Sequence, residues 1–245
     1  MDSVRQATFD VIGRLQAASS QTALFSELKE AGRYFGYDSF IVTGLPHRQG
    51  ENLNDCSLLV GWPMEWAKRY TERRYIHVDP VIAQIRRTLD PFMWDEAPYD
   101  RSDPGPATVM NESPSFGLNQ GFCVPIHRID GREAGVSFGA SRMDLSDDAR
   151  AGLHLVAIYA FSAARALSAM PSNPADPERQ PPRCSAREIE CMRWAAAGKT
   201  GWEISEILSL SQRTVEAYLN NAARKLGVAN RVHLIAEAIR HGLID

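Results

Sequence analysis

The chain has 245 residues, 44% hydrophobic and 23% charged, which supplies apolar material for one large core or two unequal ones. A formal net charge of −3 excludes a protein that holds polyanions by bulk charge, so any nucleic-acid contact must come from a local patch. The four cysteines, Cys56, Cys123, Cys184 and Cys191, include no C-x-x-C pair, which argues against a zinc ribbon, a thioredoxin-like motif or a disulfide framework.

From the N-terminus, Val4, Val11, Ile12 and Leu15 predict a first helix. Leu24, Leu28, Ala31 and Phe35, at i, i+4, i+7 and i+11, predict a second. The runs "SFIVTGL", "CSLLVGW", "GFCVPIHRI" and "EAGVSFGAS" are short, apolar or β-branched, and bounded by Gly, Pro or Asp, as strands are. "DGR" between the last two predicts a hairpin turn at Asp130-Gly131. Helical segments are expected near 62–73, 79–89 and 104–116, with a long apolar helix from 145 to 169. His154 and Arg165 interrupt that last helix, which therefore reads as core and not as a membrane span. "MDSVRQATFD" lacks the basic start and apolar run of a signal peptide, so the expectation is a cytoplasmic protein without a membrane partner. Helices on both sides of an antiparallel sheet make an α/β/α sandwich.

The segment "PSNPADPERQPPR" holds five of the 14 prolines and reads as an extended linker. It divides the chain into a body, 1–170, a linker, 171–182, and a tail, 183–245. The tail carries nine Lys/Arg against seven Asp/Glu, while the remaining 18 basic and 23 acidic residues leave the rest acidic. In the tail, Ser185 with Glu188 and Thr200 with Glu203 fit the capping box, Gly198 stops the first helix, and Ser211 caps a third. Val215, Leu219, Ala222 and Leu226 form that helix's inner face. Arg213, Ala217, Asn220 and Arg224, with Glu216 beside them, face outward. Such a face suits a major groove: Asn220 pairs with adenine, Glu216 accepts from cytosine, and Arg213, Arg224 and Lys225 suit bases or phosphates. The plainer alternative is a small bundle with a solvated outer face. The whole chain is thus an α+β protein, a sandwich followed by an all-α four-helix helix-turn-helix domain.

"WAKRYTERRYIHVDP" allows two readings. Trp66 and Tyr70 are ordinary i, i+4 packing and Asp79 caps a helix with Pro80 at its first position, or the same residues wall a pocket in which Trp66 donates and Asp79 accepts. His47, His77 and His127 are scattered and read as surface or satisfied histidines, so no metal site is expected. A phospho-receiver fails because Asp79 follows a helix, and no P-loop motif is present. No G-x-S-x-G elbow or H-x-H-type run is present to support a hydrolytic enzyme.

The tail closely resembles the LuxR-type helix-turn-helix, with Glu188, Trp194, Gly198, Lys199, Glu203, Ile204, Leu208, Ser211, Thr214, Val215, Asn221, Lys225, Leu226 and Arg231 at that family's positions. Departures are Met192 for the usual Leu and Tyr218 for a common His. In the body, Trp66, Tyr70, Asp79, Pro80, Trp94 and Gly121 match the acyl-homoserine-lactone-binding domain of quorum-sensing LuxR-type regulators. The resemblance implies a non-enzymatic transcriptional regulator without a cofactor. Its ligand is an N-acyl-homoserine lactone, and it acts as a homodimer on double-stranded DNA with a two-fold symmetric site, RNA polymerase being a further partner. It also implies Trp66 as donor to the ring carbonyl, Asp79 as acceptor of the amide N–H and Ser137 as donor to the amide carbonyl. Tyr70 and Trp94 enclose ring and tail. DNA contacts fall on Arg213, Thr214, Glu216, Ala217, Asn220, Arg224 and Lys225. Trp62 stands where a Tyr often bonds the acyl carbonyl, which points to a short, branched or aromatic acyl group. A different small-molecule ligand is the alternative.

Overall fold

α1 (Asp2–Ala17) and α2 (Gln21–Phe35) form as their apolar spacing predicts: Val11, Leu15, Leu24, Leu28, Ala31 and Phe35 are all buried. Ser20 caps α2 by accepting from the Ala23 amide, and Gly36 ends it in the left-handed region at φ 74°. The computed structural model describes residues 2–46, 50–128, 131–143, 145–169 and 184–244. It divides into two units, Met1–His127 with Glu133–Ser172, and Asn173–Asp245 with Arg128–Arg132. The linker expected at 171–182, His47, and Asp130 of the expected turn lie outside the described residues, while Gly131 has the positive φ (73°) such a turn needs.

The first unit is built on one antiparallel sheet. Its strands are β1 (Ser39–Gly44), β2 (Ser57–Gly61), β3 (Phe92–Met93), β4 (Gln120–His127) and β5 (Glu133–Ala140), in the order β2-β1-β5-β4-β3. Period-two alternation sends Phe40, Val42, Phe122, Val124, Val136 and Phe138 to one face, where they pack with α1, α2 and α7 (Asp147–Ala169). The other face carries Ile41 and Cys123 into a second core with α4 (Met64–Glu72), α5 (Pro80–Ile85) and α6 (Pro104–Glu112). A four-residue helix, α3 (Leu53–Cys56), precedes β2. The α/β/α sandwich is as expected.

Three details differ from the sequence reading. Trp62 is not on α4, because Pro63 is the N-cap and a residue before proline is pushed out of the helical region. α5 stops at Ile85, well short of 89. By length and composition α7 is apolar enough to cross a membrane despite His154 and Arg165. What defines its role is its inner stripe, in which Leu153, Val156, Ala157, Ala160 and Ala164 are buried against the sheet and α1.

The second unit holds α8 (Ala186–Ala196), α9 (Gly201–Leu208), α10 (Gln212–Lys225) and α11 (Arg231–Arg240). Both predicted capping boxes are present, Ser185 with Glu188 and Thr200 with Glu203, and Ser211 caps α10 through the Thr214 amide at 3.1 Å. Cys191, Met192, Ile204, Val215, Leu219, Ala222, Leu234 and Ala238 make its core.

Candidate functional site

The inner face of β5 presents Gly135, Ser137 and Gly139, and their partners on β4 are Pro125, Cys123 and Gly121. Small residues in register leave a slot against the sheet, and the Trp94 ring fills one end of it. A Cβ at Gly121 would sit 2.1 Å from Trp94 Cε2, and one at Gly139 would sit 2.6 Å from Trp94 Cη2. Trp94 Nε1 donates to Ser137 Oγ at 2.8 Å. Indole only donates, so the Ser137 oxygen is the acceptor there and its own proton is left for another partner.

Beside this slot lies a cavity of about 50 Å³, lined by Trp62, Trp66, Tyr70, Asp79, Trp94 and Ser137 together with Ile41, Thr43, Leu53, Ile82, Ile85, Val109, Met110, Ser113 and Leu118. All six ligand-site residues expected from the sequence therefore meet in one place. Trp66 and Tyr70 are each 2% exposed. Trp62 packs edge-on against Tyr70, with ring centroids 5.0 Å apart. Its Nε1–H is buried without a hydrogen-bond partner among the described residues. A buried donor left unpaired costs about 1–3 kcal/mol.

Asp79 caps a helix and also lines the cavity. Its Oδ1 caps α5 by accepting from the Val81 amide at 2.8 Å, and its Oδ2 accepts from Tyr70 Oη at 2.6 Å. Bonds from Tyr70, Val81 and Ile82 take three of the roughly four lone-pair sites of the carboxylate, so capping leaves capacity for one further donor. Burial raises the Asp79 carboxyl above its ordinary value, against the lowering effect of the bonds from Tyr70, Val81 and Ile82. Burial first, then the Asp79 charge, raises Tyr70, which stays a protonated donor. Arg74, at φ 54°, makes the left-handed turn that leads from α4 toward Asp79.

Thr43, Gly135, Gly139, Val109, Met110 and Ser113 belong to the site but do not stand out in the sequence. The one available signal was the small-residue alternation in "GVSFGA", which marks a sheet face with room beside it. His77 donates through Nε2 to the backbone oxygen of Glu51, and His127 through Nε2 to those of Ile85 and Thr88, as satisfied histidines do. Burial pushes the Cys123 thiol up, which fits a core residue and not a nucleophile.

On α10, Arg213, Glu216, Ala217, Asn220 and Arg224 are exposed along one face. Thr214 and Lys225 lie roughly 100° round the helix from it. Thr214 is half-buried beside the Ser211 hydroxyl, 2.7 Å away. Lys225 Nζ bonds Glu188 Oε2 at 2.7 Å, tying the end of α10 to the cap of α8. Gln212 donates to Glu216 at 3.2 Å, and Arg224 to Asn221.

A sheet-backed pocket with convergent donors and a carboxylate, carried in one chain with a capped helix-turn-helix, defines a small-molecule-responsive transcriptional regulator. The autoinducer binding domain matches residues 20–164, and the luxR family of bacterial regulatory proteins matches residues 184–238. Transcriptional activator protein BjaR1 of Bradyrhizobium diazoefficiens is 42% identical over 89% of this chain and 88% of its own. The quorum sensing-dependent regulator RpaR of Rhodopseudomonas palustris is 42% identical over 96% of this chain and 92% of its own. Among solved structures, the Escherichia coli protein SdiA, in complex with octanoyl-rac-glycerol, shares the fold with a TM-score of 0.74 at 20% identity, over 97% of this chain and 95% of that one. The chain belongs to the LuxR family of quorum-sensing transcriptional regulators, with an autoinducer-binding domain and a DNA-binding helix-turn-helix.

Proposed function

We propose that the autoinducer of this regulator is an N-acyl-homoserine lactone, held by Trp66 at the ring carbonyl, Asp79 at the amide N–H and Ser137 at the amide carbonyl. The observation that carries this reading is the meeting of a shielded carboxylate, three indoles and an oriented hydroxyl in a single apolar cavity. A lactone with an acylated amide offers one N–H and two carbonyls, the complement of that set. Tyr70 orients Asp79, Trp94 orients Ser137, and Trp62 faces the acyl end with an unused donor.

The protein acts as a dimer on a two-fold symmetric promoter site, with Arg213, Glu216, Ala217, Asn220 and Arg224 toward the major groove and Thr214 and Lys225 at its edge. Exposed apolar side chains support a dimer: Leu155, Ile158 and Tyr159 on α7, and Val232 and Ile239 on α11. The domains are the body 1–170 and the tail 183–245, joined by the proline-rich linker. Ligand completes the pocket and shifts the population toward the DNA-competent state.

The test compares soluble yield, thermal stability and operator binding with and without a panel of lactones; indifference to every one overturns the reading. Trp66→Phe keeps the packing and deletes one donor. Its lactone affinity should fall about tenfold, and an unchanged affinity returns Trp66 to the core. A second reading, a different acyl-bearing molecule, is favoured by the octanoyl-rac-glycerol held by SdiA in the same fold. Mass spectrometry of ligand co-purified from the native host separates the two.

A further inference from the structure

The cavity at the pocket is narrow, with about 50 Å³ open to the centres of water-sized molecules, so a ligand passes between closely packed walls as it enters. The walls differ in how firmly they are held. β1, β4 and β5 are paired over their whole lengths. Four of the six residues of α5, Pro80, Val81, Ile82 and Ile85, are buried. In α6, among its described residues, Val109 alone is fully buried, although α6 and the 3-10 turn Ser113–Phe116 supply Val109, Met110 and Ser113 to the cavity. A segment with so little apolar anchorage opens at low free-energy cost unless something else holds it.

Glu112, at the junction of α6 and that turn, is what holds it. Its Oε2 accepts from Tyr75 Oη at 2.7 Å and lies 3.2 Å from Arg69 Nη1. Arg69 in turn sits over the Phe116 ring, 5.5 Å from its centroid, and Phe116 packs on Trp66 at 5.3 Å. One carboxylate therefore joins α4, the turn after it and α6, on the outside of the indole that faces the cavity. The bonds from Tyr75 and then Arg69 hold the Glu112 carboxyl below its ordinary value, so it is ionised at neutral pH and both contacts are charge-assisted.

We propose that Pro104–Phe116 is the lid of the ligand pocket and that Glu112 is its latch, a positioning residue that also seats Trp66 through Arg69 and Phe116. The proposal rests on the reading of the cavity as the ligand pocket. The latch sets how fast ligand enters and leaves more than how tightly it is held. Its contacts lie on the lid's outer side and are remade once the ligand is inside.

The test uses the full chain as wild type, Glu112→Gln and Tyr75→Phe, each a nearly isosteric change. Amide hydrogen exchange is followed without ligand. Exchange in 108–116 should quicken about threefold to tenfold in both variants, with strand Glu133–Ala140 unchanged. The association and dissociation rates of the tightest binder among N-butanoyl-, N-hexanoyl- and N-octanoyl-homoserine lactone should rise together, leaving Kd changed by less than either rate. Unchanged exchange in both variants overturns the latch, as does a faster dissociation with association unaltered. If wild type binds none of these lactones, the pocket reading falls and the exchange measurement alone decides the lid.

Discussion

The two faces of the five-stranded sheet are made from alternate residues of the same strands, yet they are opposite in kind. On the α1, α2 and α7 side stand Phe40, Val42, Phe122, Val124, Val136 and Phe138, interlocked in a fully buried core. On the other side stand Thr43, Gly121, Cys123, Gly135, Ser137 and Gly139, which are small or polar, with Ile41 as the large exception. The contrast teaches how such a fold separates stability from recognition. One face is packed solid, so the other can leave space within its own core for the Trp94 ring and a cavity.

Exchanging the character of the faces breaks this division. Phe138→Ala removes a ring from the filled face and should cost about 3–5 kcal/mol of stability with ligand or without it. Chemical denaturation reads it directly, and a loss seen only in the presence of lactone contradicts the division of labour. Gly121→Ala fills the hollow face. Its Cβ would overlap Trp94 at 2.1 Å, displacing the ring and its bond to Ser137. Overpacking should cost about 1–3 kcal/mol, less than Phe138→Ala, while lactone response is lost altogether. Reporter activity beside a melting curve separates the two effects.

Asp79 sharpens the comparison through pH. Burial raises its carboxyl above the ordinary value, so the folded protein takes up a proton more readily than the unfolded chain. The ligand-free fold therefore loses stability as pH rises through that raised value. Lactone binding needs the ionised acceptor and should strengthen over the same rise, so the two slopes have opposite sign. Asp79→Asn keeps an N-cap on α5 and should flatten both slopes while weakening lactone binding. Parallel slopes in titrations at several pH values would remove Asp79 from the ligand. The smallest effect is expected at Trp62. Trp62→Phe deletes an unpaired buried N–H along with some packing, and stability should stay within about 1 kcal/mol of wild type. Any change in preference among acyl groups then reports on the tail end of the pocket.

Much of this was legible in the sequence because it is local. Ser185 with Glu188 and Thr200 with Glu203 are capping boxes by spacing alone, and the stripe from Leu24 to Phe35 is a helix face by period alone. The residues that line the cavity were legible as a set through resemblance, since Trp66, Trp94 and Ser137 lie far apart in the chain. Local rules misread the ends of elements: Pro63 excluded Trp62 from α4, and α5 closed after six residues. The lid contact between Tyr75 and Glu112, 37 residues apart, has no local signature at all.

The sequence by itself determined the two kinds of domain, the helix starts and stops, the strands and the outward face of α10. Caps, periodicity and turn residues act over a few residues and do not need the rest of the chain. Only the tertiary structure decided that Asp79 can cap α5, bond Tyr70 and still face a cavity. It also decided that Gly121 and Gly139 leave room for the Trp94 ring, and that the Trp62 donor has no partner among the described residues. Those outcomes depend on which side chains strand pairing and helix packing bring within a few ångströms, and that proximity is a property of the folded chain alone.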